Sequence, residues 1–165
     1  MIKDFTEKDS VVKGGSPVAV VSDLTKEEFL AVYYFRCWYE GIEALQVVEN
    51  EFFSRLGDEL GFKTMSALEA LCETLYKKGR RQLIRHDLNC KCVGADENCF
   101  AQLVTLSTLK EKEDAMLISV LLSDSSIAPT IVGLAEDFGM GINALLRSIS
   151  EENSNNVYPI KSNYN

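Results

Sequence analysis

Apolar positions from Lys26 onward recur every three or four residues, the spacing of one face of an α-helix. The members of this pattern are Phe29, Leu30, Tyr33, Cys37 and Trp38. Thr25 and Glu28 form a capping box at its start, because the hydroxyl and the carboxylate can satisfy free backbone amides reciprocally. These signals predict a helix that begins at Lys26 and is broken by Gly41.

Similar signals recur along the rest of the chain. A second capping box is predicted at Ser66 and Glu69, and a helix start at Gly94 places Asp96 and Glu97 where the helix dipole favours acids. Glycines that are expected to end or interrupt helices lie at positions 57, 79, 139 and 141. The pattern as a whole predicts an all-α fold, a compact single-domain bundle of about six helices with short loops.

The two ends of the chain differ in composition from its middle. Residues 1–24 are predicted to be a mobile or extended lead-in, in which 17–21 (PVAVV) could be extended but have no evident strand partner. Residues 25–151 carry the helical pattern and form the predicted domain, since 165 residues suit one domain. Residues 152–165 are rich in Asn and Ser and lack a period, which predicts a flexible tail.

Composition and charge exclude several classes of protein. The net charge of −8 argues against non-specific nucleic-acid binding, which needs a surplus of basic side chains to neutralise phosphates. The longest apolar run, Leu117–Leu122, is far shorter than the roughly 20 residues of a membrane span. The start, MIKDFTEKDS, lacks the basic and apolar regions of a signal peptide. We therefore expect a cytoplasmic protein without a membrane segment, with its thiols reduced.

The segment 80–99 (RRQLIRHDLNCKCVGADENC) holds the only histidine and three of the five cysteines. His86, Cys90, Cys92 and Cys99 are side chains that zinc or iron can take as ligands. Their spacing departs from familiar metal sites, and residues i and i+2 of extended chain lie roughly 6–7 Å apart. Two interpretations stay open: a metal site at these four residues, or reduced loop thiols at Cys90 and Cys92 with Cys99 facing the core. We favour the second, with no cofactor.

Positive charge is concentrated around the same segment. Between Lys77 and Lys91 six basic side chains face a single acid, Asp87, although the chain as a whole is acidic. Arg80, Arg81, Arg85 and His86 are the predicted binding residues, the histidine as an anion contact. Such a segregated charge can bind a partner, or an acidic face of the same fold or of a second copy can satisfy it. The sequence leaves both open.

No catalytic set can be assembled from the sequence. His86 with Cys90 or Cys92 could form a base–nucleophile pair, but Asp87 is adjacent to the histidine rather than behind it to orient the ring. The stretch 139–144 (GMGINA) matches a dinucleotide-binding pattern but follows a predicted helix instead of a strand. An enzyme that depends on cysteine is therefore the least favoured alternative.

Aromatic side chains on the first helix suggest a further contact. Tyr33, Tyr34, Phe35 and Trp38 point to more than one face, so that one face is expected to lie outside the core. Contiguous exposed aromatic side chains usually mark contact surfaces. This predicts association through the first helices, including a homodimer.

Residues 80–97 also resemble a known group of sequences. The elements are Arg80-Arg81-x-Leu83, His86, Cys90-x-Cys92 and Gly94-Ala95-Asp96-Glu97, and they resemble a group of small helical proteins from alphaproteobacteria. The resemblance covers about twenty residues, offers no counterpart of Cys99, and implies neither an activity nor a cofactor. We predict a non-enzymatic interaction or regulatory module that uses residues 80–92 to contact a protein partner; a metal-stabilised or metal-sensing protein is the alternative.

Overall fold

The structure, a computed structural model, describes residues 17–155, which form five α-helices and a two-stranded sheet. The elements in chain order are β1 (Pro17–Val20), α1 (Lys26–Glu40), α2 (Ile42–Lys78), β2 (Cys92–Gly94), α3 (Ala95–Thr108), α4 (Lys112–Leu122) and α5 (Ala128–Asn155). The predicted all-α, single-domain bundle is confirmed as a mostly helical single domain, although the described residues form five helices instead of about six and add a small sheet. No helix within these residues is long and apolar enough to cross a membrane.

The start of α1 follows the predicted capping box. The Thr25 hydroxyl accepts a hydrogen bond from the Glu28 amide at 3.2 Å, and the Glu28 carboxylate accepts one from the Thr25 amide at 2.8 Å. The helix ends at Gly41, whose φ of 118° is a conformation that side chains disfavour. The predicted bounds of this helix are therefore confirmed.

Helix α2 is longer than the sequence predicted. Gly57 has a non-helical backbone, with φ 77° and ψ 174°, but the helix resumes at once, so the predicted end is a kink. The prediction of a second capping box is wrong, because Ser66 and Glu69 lie well inside α2. The buried face continues upstream of Ser66 to Gly61 and Thr64, which gives the helix a reason to start earlier.

Helix α5 passes through Gly139 and Gly141 without a break, so the two helices predicted there are one. Both glycines lie where neighbouring helices approach closely. A Cβ atom on Gly139 would lie 1.8 Å from Thr108 Oγ1, and one on Gly141 would lie 2.3 Å from Thr64 Cγ2. Glycine at these two positions allows the neighbouring helices to approach this closely. The helix also continues to Asn155, beyond the predicted domain end at residue 151.

The core fills with side chains from all five helices. The largest fully buried ones are Tyr34, Phe35, Phe52, Phe100, Phe138, Leu68, Leu71, Leu75, Leu103, Ile131, Ile142 and Leu145. Tyr34 and Phe35, two of the four aromatics expected to reach a surface, are thus in the core. Tyr33 and Trp38 are half-buried. Association through the first helices stays a prediction.

The two strands join the start of the described chain to the candidate site. β1 and β2 are antiparallel, with Pro17 opposite Gly94 and Val20 opposite Cys92. The extended segment therefore has a strand partner more than 70 residues away, which the sequence did not reveal. Residues 1–16 and 156–165, which include most of the predicted lead-in and tail, lie outside the described residues.

Candidate functional site

Residues 79–91 connect α2 to β2, and their first part is held against α4. Gly79 pairs with Ser123 as an isolated antiparallel bridge. The Arg80 amide donates to the Leu122 carbonyl at 2.9 Å, and its Nε donates to the Val120 carbonyl at 2.9 Å. The exposed Arg80 side chain therefore lies along the C-terminal end of α4.

Asp96, in the first turn of α3, holds the next part of this loop. Its carboxylate accepts two hydrogen bonds from the Arg81 guanidinium, at 2.6 and 2.8 Å, and one from the Ile84 amide at 2.7 Å. Burial by itself raises the pKa of this carboxyl, but the bonds from Arg81 and Ile84 outweigh burial and lower the pKa overall. Asp96 is thus an ionised anchor for the loop.

Glu97, the next residue, is fully buried and accepts five hydrogen bonds. Two come from Arg36, from Nε at 2.7 Å and from Nη2 at 3.1 Å. The amide and the Nδ1 atom of His86 supply two more, each at 2.9 Å, and the Gly94 amide supplies the fifth at 2.8 Å. One carboxylate therefore joins α1, the loop and the start of α3.

The electrostatics of this cluster favour a charged carboxylate. Burial raises the pKa of Glu97, but the bonds from Arg36, Gly94 and His86 together outweigh burial and lower the pKa overall. An ionised carboxylate can only accept hydrogen bonds, so the Nδ1 atom of His86 carries the hydrogen that lies between the two groups. His86 thus faces inward, with 13% of its side chain exposed, and its anion partner is Glu97.

Arg36, on α1, is the third member of this cluster. Its side chain is 3% exposed, and besides Glu97 it binds the carbonyls of Cys90 and Cys92, each at 2.7 Å. A buried guanidinium is stable only when its donors are satisfied, and here they fix the end of the loop. We call Arg36, Glu97 and His86 the anchor cluster.

The cysteines of the segment do not gather around one point. The chain bends at Lys91, and Cys90 Sγ accepts a hydrogen bond from the Cys92 amide at 3.4 Å. Cys99 is half-buried on α3, and burial raises the pKa of its thiol. Within residues 17–155 no three His, Cys, Asp or Glu side chains are arranged to hold a metal ion. A zinc or iron site at His86 and the three cysteines stays a prediction that this geometry does not support.

The structure does not assemble the cysteine–histidine pair that catalysis would need. The carboxylate behind His86 is Glu97, not Asp87, and among the described residues the histidine ring forms no hydrogen bond with a cysteine. Arg85 also faces the protein, with its guanidinium 4.6 Å from the centre of the Tyr39 ring. Of the four predicted binding residues, Arg80 and Arg81 are the exposed ones.

Arg36 and the role of Glu97 are not among the predictions made from the sequence. A signal for Arg36 was present, because it is the only charged residue in the aromatic run 33–39 (YYFRCWY) of a helix with a buried face. A lone charge on such a face requires a partner. Glu97 was recognised only for its effect on the helix dipole, since its partners lie 11 and 61 residues away.

Two leucines extend the exposed surface beside Arg80. Leu117 and Leu121, one turn apart on α4, are 62% and 69% exposed, and Leu121 is between the two residues whose carbonyls bind Arg80.

Comparisons of the chain with protein-family models, with curated proteins and with solved structures found no match. What the protein does must therefore be inferred from this geometry.

Proposed function

We propose that the protein is a non-enzymatic interaction or regulatory module that binds a protein partner. Its contact surface is the exposed part of residues 80–92 together with Leu117 and Leu121 of α4. The observation that carries this proposal is that the exposed Arg80 binds the carbonyls on either side of the exposed Leu121, one turn of α4 from the exposed Leu117. Charge next to uncovered apolar side chains is typical of a surface that another protein covers.

Asp96 and the anchor cluster together explain how a segment without helix or strand can present such a surface. Asp96 and Glu97 bind backbone amides of Ile84 and His86, and Arg36 binds two carbonyls at the end of the segment. A segment that is held in one conformation before binding loses less entropy when it binds. The inward-facing His86 and Arg85 therefore support the contact surface, and Arg80 and Arg81 meet the partner.

The chemistry of the surface indicates the kind of partner. Lys78, Arg80, Arg81 and Lys91 are exposed and basic, and the two leucines have the spacing of one helical face. A partner segment that is complementary would carry carboxylates beside apolar side chains, as an amphipathic acidic helix does. Since the rest of the chain is acidic, such a partner would be repelled from other faces.

Capture of partners from native lysate, with the tagged full-length protein as bait, tests this proposal. Leu121→Asp and Arg80→Glu are expected to lose the partners that the wild type captures, because each removes one feature of the contact surface. Arg81 is left unchanged, since reversing its charge would disturb Asp96 and the loop. Circular dichroism should show that both variants stay folded.

Matched controls lie on other faces of the protein. Val47→Asp places the same charge at an apolar side chain of α2 that is 61% exposed, and Arg147→Glu reverses an exposed arginine on α5. Both are expected to capture the wild-type set of partners. Identical partner sets for all four variants and the wild type would contradict the proposed contact surface.

A further inference from the structure

Cys90 and Cys92 are brought together by the local backbone. In extended chain, two residues separated by one other lie too far apart for their sulfur atoms to meet. The bend at Lys91 reduces this separation, since Cys90 Sγ accepts a hydrogen bond from the Cys92 amide at 3.4 Å. Both cysteines are partly exposed, so small reagents can reach them.

Arg36 makes this bend a fixed feature of the fold. Its Nη1 atom donates to the Cys90 carbonyl and its Nη2 atom to the Cys92 carbonyl, each at 2.7 Å. The two cysteines are therefore bound through their backbones to one buried guanidinium. Cys37 and Cys72, by contrast, are buried in the core.

We propose that Cys90 and Cys92 are a site of reversible oxidation by hydroperoxides, and that closing their disulfide loosens the hold of Arg36 on the loop. This site is separate from the proposed partner, since it depends only on the two sulfur atoms and their backbone. Neither a metal ion nor the His86 ring takes part in it.

The chemistry balances with a hydroperoxide as the oxidant. The sulfur of one cysteine, after losing its proton, attacks the outer peroxide oxygen; the O–O bond breaks, and the leaving oxygen takes up a proton to become water or an alcohol. The first sulfur is now a sulfenic acid. The second sulfur attacks it, the S–S bond forms, the S–O bond breaks, and water leaves with the second thiol's proton. The two thiols lose two electrons and two protons in total.

The disulfide would change the backbone around Lys91. A sulfur–sulfur bond of about 2.05 Å also requires a dihedral angle of roughly 85–100° about that bond, which two free thiols do not need, so the backbone on either side of Lys91 is expected to adjust. Two carbonyls that both fit one guanidinium in the reduced form are then expected to lose at least one of their bonds to Arg36. Residues 86–94, which the anchor cluster holds, would exchange their amide hydrogens faster.

The experiment treats the reduced full-length protein with hydrogen peroxide, blocks the remaining thiols and maps tryptic peptides by mass spectrometry. Cleavage after Lys91 places Cys90 and Cys92 on separate peptides, so only a disulfide keeps them together. Because the second peptide also contains Cys99, the mapping is repeated in Cys99→Ser. We expect the bridged pair in the wild type and in Cys99→Ser, its complete loss in Cys92→Ser, and its reversal by dithiothreitol.

Hydrogen exchange of the bridged protein provides the second readout. The His86 amide is expected to exchange about tenfold faster or more after oxidation, the effect of losing one hydrogen bond to a charged group. Peroxide-treated Cys92→Ser should show no such change. Separate oxidation of the two thiols without a bridge, a bridge only to Cys99, or a bridge that leaves exchange unchanged would each overturn the proposal.

Discussion

Replacing Glu97 by glutamine is expected to lower the free energy of unfolding by about 3–5 kcal/mol, the cost of removing one partner from a buried ion pair. Glu97 is fully buried and accepts five hydrogen bonds, two of them from the buried Arg36. Glutamine keeps the shape but loses the charge, and its NH₂ group would face hydrogen-bond donors. Urea unfolding followed by circular dichroism at neutral pH measures the difference.

The control for this substitution is Glu113→Gln, at an exposed position of α4, which is expected to stay within about 0.5 kcal/mol of the wild type.

The pH dependence of the free energy of unfolding offers a second check. Because the folded-state pKa of Glu97 is lowered, its stabilisation is complete above the unfolded value of about 4.3 and is lost as the pH falls through the folded pKa. The difference between wild type and Glu97→Gln should shrink over that range. A difference below about 1 kcal/mol at neutral pH would show that the anchor cluster contributes little.

Gly141→Ala and Gly133→Ala are expected to change stability in opposite directions, although both place a methyl group on α5. A Cβ atom at Gly141 would lie 2.3 Å from Thr64 Oγ1 and 2.8 Å from Thr64 Cβ, so the helices must shift, at about 1–3 kcal/mol. That cost exceeds the gain in helix propensity of about 1 kcal/mol or less. At Gly133 nothing lies within 4 Å of the new atom, and the substitution should stabilise by about 0.4–1 kcal/mol.

Thermal or urea unfolding of the two alanine variants against the wild type checks this pair. If both substitutions stabilise the protein, Gly141 is not a position of close packing. The double variant adds a further control. Gly133 and Gly141 are two turns of helix apart and have different surroundings, so their effects should add.

Local features of the fold were predictable because their causes are local. The capping box at Thr25 and the end of α1 at Gly41 depend on residues within one turn of each other, and both predictions are confirmed. The same reasoning was wrong for Gly139 and Gly141, because a glycine that ends a helix and one that allows close packing look alike in a sequence. Only the neighbouring threonines on other helices distinguish the two cases.

The location of the candidate site was predictable from the sequence, but the hydrogen bonds between its residues were not. Residue types and charge drew attention to segment 80–97, yet the ligand set at His86 and the cysteines rested on closeness along the chain. The observed partners of Glu97 come from three separate parts of the chain, the farthest being Arg36, 61 positions away. No spacing pattern encodes such a contact. The basic charge of Arg81 and Arg85 likewise found partners within the fold, at Asp96 and Tyr39.

The central claim is that two carboxylates at the start of α3 hold residues 80–92 in one conformation before any partner binds. Hydrogen exchange of the Ile84 and His86 amides in the unmodified, reduced protein tests it most directly, since both donate to these carboxylates and lie outside any helix or strand. We predict protection similar to that of interior amides of α3. Exchange of both amides at the rate of an unstructured peptide would contradict the claim.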